Sequence, residues 1–314
     1  MLTAVELGLI YSIMALGVYL TFRVLEFPDL TVDGSFTTGA AVATVAILKG
    51  VDPVVSLIFA LASGLAAGLI TGLLNTKGNI DGLLAGILTQ IGLYSINLRI
   101  MGTSNIGLLR VPTVFTDLRE KGILGTWMGP AIMLPFALIV LGLLVWFLHT
   151  NLGLALRAAG DSPDMVRSFG VSTSGMKILG LSLSNGLVAV SGALVAQYQG
   201  FADVGMGIGI IVAGLASVII GQAILGRLTI TRAATAVVVG AVLYRVVIQL
   251  ALMLGFNPND MKLISALLVI FALLVPQWKI YARLRWFFGR GRRSSDEKMT
   301  ERLVMENAAL KGGK

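Results

Sequence analysis

The chain of 314 residues contains no cysteine and one histidine, His149. Those absences exclude disulfides, iron–sulfur clusters, thiolate nucleophiles and a multi-histidine metal centre. Charge is scarce too: 13% of residues are Asp, Glu, Lys or Arg, against 56% apolar, and mean hydropathy is +0.89. A soluble domain carries about one quarter charged residues. A chain this poor in charge cannot cover its apolar surface by folding, so it is a polytopic membrane protein. The apolar runs are long and continuous rather than alternating, which excludes a transmembrane β-barrel. The start of the chain lacks the basic, apolar and small-residue order of a cleaved signal, so its first apolar run is expected to remain as a span. Glycine, by contrast, is abundant at 38 residues, as expected where helices approach closely in lipid.

The net charge of +8 is concentrated rather than spread. Six basic and no acidic residues lie in "KIYARLRWFFGRGRR", Lys279 to Arg293, interleaved with Tyr281, Trp286, Phe287 and Phe288. That mixture suits a cytoplasmic membrane surface and not nucleic acid. The last 21 residues balance four acids with four bases and read as a short solvated helix. The organisation expected is a transmembrane domain over 1–281 and a basic cytoplasmic tail over 282–314.

A helix crossing the hydrocarbon core needs about 20 apolar residues. On that measure the fold is an all-α bundle of about nine spans, near 3–22, 31–48, 54–74, 82–101, 128–149, 175–199, 207–226, 231–254 and 262–280. The second is short and opens on Asp29 and Asp33; the seventh begins in glycine-rich "DVGMGIGI". The basic residues put the 150–175 loop, Lys77, Arg227, Arg232 and the tail in the cytoplasm. The N-terminus is then external, as is the 102–127 loop, despite Arg110, Arg119 and Lys121. "SGLAAGLITG" repeats small residues, Ser63 apart, at Gly64, Gly68 and Gly72, a ridge for close helix contact.

Chemistry by the chain itself is not expected. "GQAILGRLT", Gly221 to Thr229, has the glycine spacing of a phosphate-binding loop, but Arg227 replaces the lysine and Leu228 the hydroxyl residue. "SLSNG" has no histidine or elbow pattern around it. His149 reads as an interfacial residue.

Polar residues at depth point to a pathway. Gln90 and Asn97 are seven apart and share a face; Asn185, Gln222 and Arg245 lie in three further spans, with Gln249 one turn after Arg245. Arg245 lies about 20 Å of helix rise beyond Arg232. It is expected to reach the outer interface, pair with Asp203 or Asp260, or attract an anionic substrate group. In "LEFPDLTVDGSFTTGAA", Pro28 breaks the first span, and Asp29, Thr31 or Asp33 can cap the second. Gly34, Ser35, Gly39 and Ala40 then form a close-packing face. Such a break either packs in protein or lines a water-filled path. Candidate path residues are therefore Asp29, Asp33, Ser35, Gln90, Asn97, Asn185, Gln222 and Arg245.

Within the loop 151–175, "AAGDSPDMVRSFGVS" encodes a helix of one or two turns. Asp161 or Ser162 can cap it, Pro163 and Asp164 fill its first turn, and Gly170 ends it. Met165, Val166 and Phe169 supply apolar contacts. A helix so short needs a surface to pack on. "GLALRAAGDSPDMVRSFGV" resembles the coupling-loop motif of ABC-importer permeases, in the branch of branched-chain amino acid and ribose permeases, and the likeness covers roughly residues 1–280. "FPDLTVDGSFTTGAAV" resembles more narrowly a bacterial subgroup assigned to aromatic amino acids such as tryptophan and tyrosine. The resemblance implies a homodimeric permease subunit of a type II importer in the bacterial inner membrane. It implies a cytoplasmic ABC ATPase that carries the ATP and Mg, so that this chain binds no cofactor. It also implies an extracytoplasmic binding protein delivering a small solute. Docking on the ATPase would fall to Gly160, Asp161, Ser162, Pro163, Asp164, Met165, Arg167, Phe169 and Gly170. The alternatives are a permease for nucleosides or sugars, or an ion-coupled secondary transporter.

Overall fold

The computed structural model describes residues 1–108, 111–256 and 260–274. Its helices are α1 (Leu2–Tyr19), α2 (Thr31–Leu48), α3 (Pro53–Thr76), α4 (Gly82–Met101), α5 (Thr116–Glu120), α6 (Met128–His149), α7 (Asn151–Asp161), α8 (Pro163–Ser168), α9 (Thr173–Gln199), α10 (Ile210–Leu225), α11 (Ile230–Met253) and α12 (Met261–Leu274). Two short strands, β1 (Asn105–Gly107) and β2 (Phe201–Asp203), pair antiparallel. Seven described helices are long and apolar enough to cross a membrane. α10, at 16 residues, is shorter than a full span. The expected ninth span runs past the described residues, as do Arg110, the basic cluster 279–293 and the tail 282–314. The compact unit discussed below is Met1–Val269.

Local sequence explains where the helices start. Asp52 accepts hydrogen bonds from the Val54 and Val55 amides ahead of α3, with Pro53 at the first helical position. Asp81 does the same for Leu83 and Leu84 of α4. Hydroxyls of Thr150, Ser172 and Thr229 cap α7, α9 and α11.

The 27-residue α9 is the axis of the bundle, and glycine sets how close its neighbours come. A Cβ on Gly64 or Gly68 of α3 would run into the carbonyls of Asn185 and Leu181, and one on Gly72 would come within 2.9 Å of Ile178. The small-residue ridge of α3 thus lies backbone to backbone along α9. α2 is divided between two partners: Gly39 meets the Ala189 carbonyl of α9, whereas Gly34 faces Leu93 and Gln90 of α4. The single close-packing face expected for α2 is two faces. α1 and α2 are 83% and 78% buried over their apolar windows; α4 and α6 are each only 28% buried, and lie at the rim.

The connections divide between two ends. One gathers residues 24–30, the 77–81 turn, α7, α8 and the α10–α11 turn: Gly160 touches the Val24 carbonyl, Phe27 packs on Gly82, and Arg23 bonds to Gln222. The other gathers β1, β2 and the 102–127 loop. Glu6, fully buried on α1, ties that loop down by accepting from the Gly125 amide at 2.8 Å and the Tyr198 hydroxyl at 2.6 Å. Gln197 adds a bond from the Val114 amide and donates to the Ser56 hydroxyl.

Candidate translocation path and coupling surface

α1 does not end cleanly. Leu20–Val24 forms a π-helical turn, and Glu26 follows with φ of 52°, a left-handed conformation rare outside glycine. Asp29 comes next and is buried. Its Oδ1 accepts from the Thr31 amide at 2.9 Å and its Oδ2 from Asn185 Nδ2 at 2.7 Å. Asn185 Oδ1 accepts in turn from the Ser35 hydroxyl at 2.6 Å, and Thr31 shares a bond with Thr71 of α3 at 2.8 Å. Burial pushes the Asp29 carboxyl above its ordinary range, and the Thr31 and Asn185 hydrogen bonds offset part of that. Asp29, Ser35 and Asn185 therefore form one buried network locking α2 to α9.

Of the caps expected for α2, Asp29 is the one that accepts from its first amide. Asp33 caps α10: Oδ2 accepts from the Gly209 amide at 2.8 Å and Oδ1 from Ile211 at 2.9 Å. A carboxylate suits the positive end of a helix dipole. The path that leads there is irregular. Ala202 and Val204 cluster with Ala40 and Ala41, whereas Gly209 reaches Asp33, about 10 Å back along α2 at 1.5 Å per residue. Residues 203–209 thus descend into the bundle before α10 begins. Glycine makes this possible: Gly209 has φ of 83°, and a Cβ on Gly207 would strike the Asp33 carbonyl.

Beside this descent is a cavity of about 380 Å3, lined by Asp33, Thr37, Gln90, Tyr94, Ser95, Asn97, Val204 and Ile208, among others. Gln90 and Asn97 do share a face, and that face meets Asp33. Asn97 donates weakly to the Gly34 carbonyl at 3.4 Å, while its buried Oδ1 has no hydrogen-bond partner among the described residues. Tyr94 is exposed on the rim helix α4.

Two candidates lie apart from this cavity. Gln222 accepts from Arg23 Nε at 3.3 Å near the end where α7 lies. Arg245 pairs with neither Asp203 nor Asp260; its guanidinium lies 3.4 Å from the centroid of the Tyr11 ring, which stacks on Phe36. A ring face substitutes for a carboxylate as the cation's neighbour. Sequence pattern alone does not single out Gln197, and for Glu6 the signal is a lone glutamate inside the first apolar run.

The expected short helix is α8. Ser162 occupies its N-cap position without a side-chain bond, and Pro163 begins it. Gly170, at φ of 79°, ends it. Val166 turns inward at 5% exposure, whereas Met165 and Phe169 are 58% and 74% exposed. The Asp164–Arg167 pair, 3.9 Å apart in solvent, contributes little. Arg167 Nε also donates to the Thr173 hydroxyl at 3.3 Å. Behind α8, Gly160 of α7 lies against the Val24 and Leu25 backbone, and the side chains of Leu25 and Leu156 both pack on Gly180. α7, which leads directly into the segment carrying the exposed apolar pair, is seated on the break between α1 and α2.

Apolar helices around a polar cavity, one helix beginning inside the bundle at an irregular descent, and a short helix presented at one end define a polytopic membrane permease. The chain belongs to the family described as branched-chain amino acid transport system permease components, which matches residues 1–274. It is 44% identical over 263 residues to a tyrosine transport system permease protein of Clostridioides difficile, covering 84% of this chain and 86% of that one. It is 37% identical over 277 residues to an uncharacterised protein of Rickettsia prowazekii, covering 87% and 96%. A solved structure described as an inward-facing conformation of a metal-chelate type ABC transporter shares the fold, with a TM-score of 0.51 and 15% identity over 88% of this chain and 85% of that one.

Proposed function

We propose that this permease subunit imports a small amino acid, aromatic by preference, as one half of a homodimer driven by a separate cytoplasmic ABC ATPase. The observation that carries the coupling is the seating of α7 on the Val24–Leu25 backbone with Met165 and Phe169 of α8 left exposed. A motion imposed on α8 acts through Gly160 on the α1–α2 break, which holds Asp29 and leads into α2 with Ser35 and Asp33. The ATPase holds the ATP and Mg; this chain supplies the path and the linkage. The end bearing α8 faces the cytoplasm, and the 102–127 loop faces an extracytoplasmic binding protein.

The path runs past the cavity at Asp33, Gln90 and Asn97. Irregular backbone at membrane depth belongs where it borders such a cavity. An amino-acid ammonium supplies donors of the kind that buried Asn97 Oδ1 accepts, and Tyr94 offers a ring face. The likeness to a tyrosine permease supports the same substrate class. The exposed face of α4 beside this cavity, with Leu88, Ile91 and Tyr94, meets a second copy, so the path follows the dimer axis.

The test is purification from native membranes with Met165→Ala and Phe169→Ala together. Both side chains are exposed, so the fold stays intact. The wild-type chain should carry a stoichiometric ATPase, and the double variant should lose it, weakened about 30-fold or more if both are anchors. A chain that purifies alone in both forms and takes up solute on an ion gradient would sink the ATP-driven reading.

A further inference from the structure

At the end of the bundle where α7 and α8 lie is a second cavity, of about 730 Å3. Three arginines from three elements line it: Arg23 at the π-helical end of α1, Arg157 of α7 and Arg227 in the α10–α11 turn. His149 adds a fourth nitrogen base. Glu26 and Asp161 also line it, but no carboxylate among the described residues comes within 4.0 Å of any of these arginines. Arg23 spends one nitrogen on Gln222. The other guanidinium nitrogens belong to side chains that line the cavity and form no ion pair among the described residues.

Apart from Thr229, the remaining wall is largely apolar, with Val24, Leu154, Leu228, Ile230 and Ala233 and the ring of Tyr19. Leu228, beside Arg227, is 84% exposed. His149 closes α6, the rim helix with the highest mean hydropathy, 2.7, and only 28% of its apolar window buried. Trp146, one turn earlier, is exposed, as expected at a membrane–water interface. The cavity therefore lies at the end of a rim helix whose exposed, apolar face suits lipid, and it offers both arginines and apolar side chains. A free phosphate has no use for that apolar wall, and an acidic protein segment has none for the neighbouring lipid-facing surface.

We propose that this cavity holds one anionic phospholipid from the surrounding leaflet. Its phosphate is held by Arg23, Arg157 and Arg227, its headgroup hydroxyls are accepted by Glu26 and Asp161, and an acyl chain lies along Leu228 and Ile230. Arginine forks suit phosphate oxygens. Basic pockets between membrane helices are known receptors for such headgroups. The bound lipid bridges α1, α7 and the α10–α11 turn, elements that no ion pair joins among the described residues. It thereby makes the fit of the coupling segment sensitive to the anionic lipid content of the membrane.

Native mass spectrometry of the full chain in a non-ionic detergent, with phosphatidylglycerol and phosphatidylcholine at equal concentration, tests this. The wild-type chain should retain phosphatidylglycerol preferentially. Arg227→Gln, in an exposed turn where folding is not at stake, should weaken that retention about five-fold, the effect of about 1 kcal/mol per basic side chain. Replacing Arg23, Arg157 and Arg227 together by Gln should abolish the preference. The basic cluster at 279–293 is present in every form, so it cancels from the comparison. An unchanged preference in both variants overturns the proposal. So does displacement of the lipid by excess inorganic phosphate, which would make the cavity a small-anion site. Loss of ATPase co-purification in the variants with lipid retention unaltered would also overturn it, and would assign the arginines to the protein partner.

Discussion

Asn97 is 0% exposed, yet its carbonyl oxygen finds no donor among the described residues. A buried acceptor left unmade is costly, so a substrate that satisfies it gains accordingly. Asn97→Leu keeps the bulk and removes the acceptor. It should raise the KM for uptake about ten- to hundred-fold, the equivalent of 1.5–3 kcal/mol for a bond to a charged donor, while leaving the amount of folded protein unchanged. Equal KM values would remove Asn97 from the path. Asp29 makes a different kind of prediction. Its carboxyl is raised in the folded state, so the fold is favoured by the protonated form. That contribution is fully present below the ordinary carboxylate value near 4 and is lost as pH rises through the raised one. Asp29→Asn deletes this dependence: its Tm in detergent should improve relative to wild type as pH climbs from about 4 to 7. Parallel curves would contradict the assignment. Sequence exposed both residues as polar groups in apolar surroundings. It did not carry the partners of Asp33 and Arg245, because both are set by tertiary packing rather than by neighbours in the chain. The true neighbours are an amide pair 176 residues away and an aromatic ring.

Among the elements, α7 and α8 are the ones whose form followed most directly from local signals, a proline at the start and glycines where side chains would not fit. What no local signal carried is the contact of Gly160 with Val24. Gly160→Ala would push a methyl group into that carbonyl, costing about 1–3 kcal/mol of strain or parting the two segments. ATP hydrolysis by the assembled transporter should continue while uptake falls about five-fold or more. Normal uptake by this variant would mean that force does not pass through this contact. The spans themselves were legible, since apolar runs of full length admit few alternatives. α10 was the partial exception: its glycines foretold a late start, but only the Asp33 cap explains a helix beginning two turns below the β1–β2 end.

For the whole molecule, the open question of assembly can use the absence of cysteine, because any single cysteine introduced is the only one present. Gly92 of α4 has open space around it, and so does Gly142 of α6. If α4 faces a second copy, Gly92→Cys should cross-link to a covalent dimer under mild oxidation, and Gly142→Cys on the lipid side should not. The reverse pattern would move the dimer axis to α6. Composition alone identified a membrane bundle. The division between central and rim helices was not readable, because α4 and α6 are as apolar as their buried neighbours.

The cap on α10 also bears on how the protein is made. Asp33 lies near the start of the chain, and the amides it accepts from come 176 and 178 residues later. At about 5–20 residues per second, a ribosome needs roughly 10–35 s to supply them. Throughout that interval Asp33 of α2 lacks its donors at the start of α10, and Asp29, just ahead of α2, lacks the Asn185 donor on α9. α2 cannot settle among lipid tails during this time and must wait in a polar-tolerant place, at the insertion machinery or against α1. Biogenesis of this bundle is therefore expected to be late and concerted, with the second span released only when the latter half of the chain arrives.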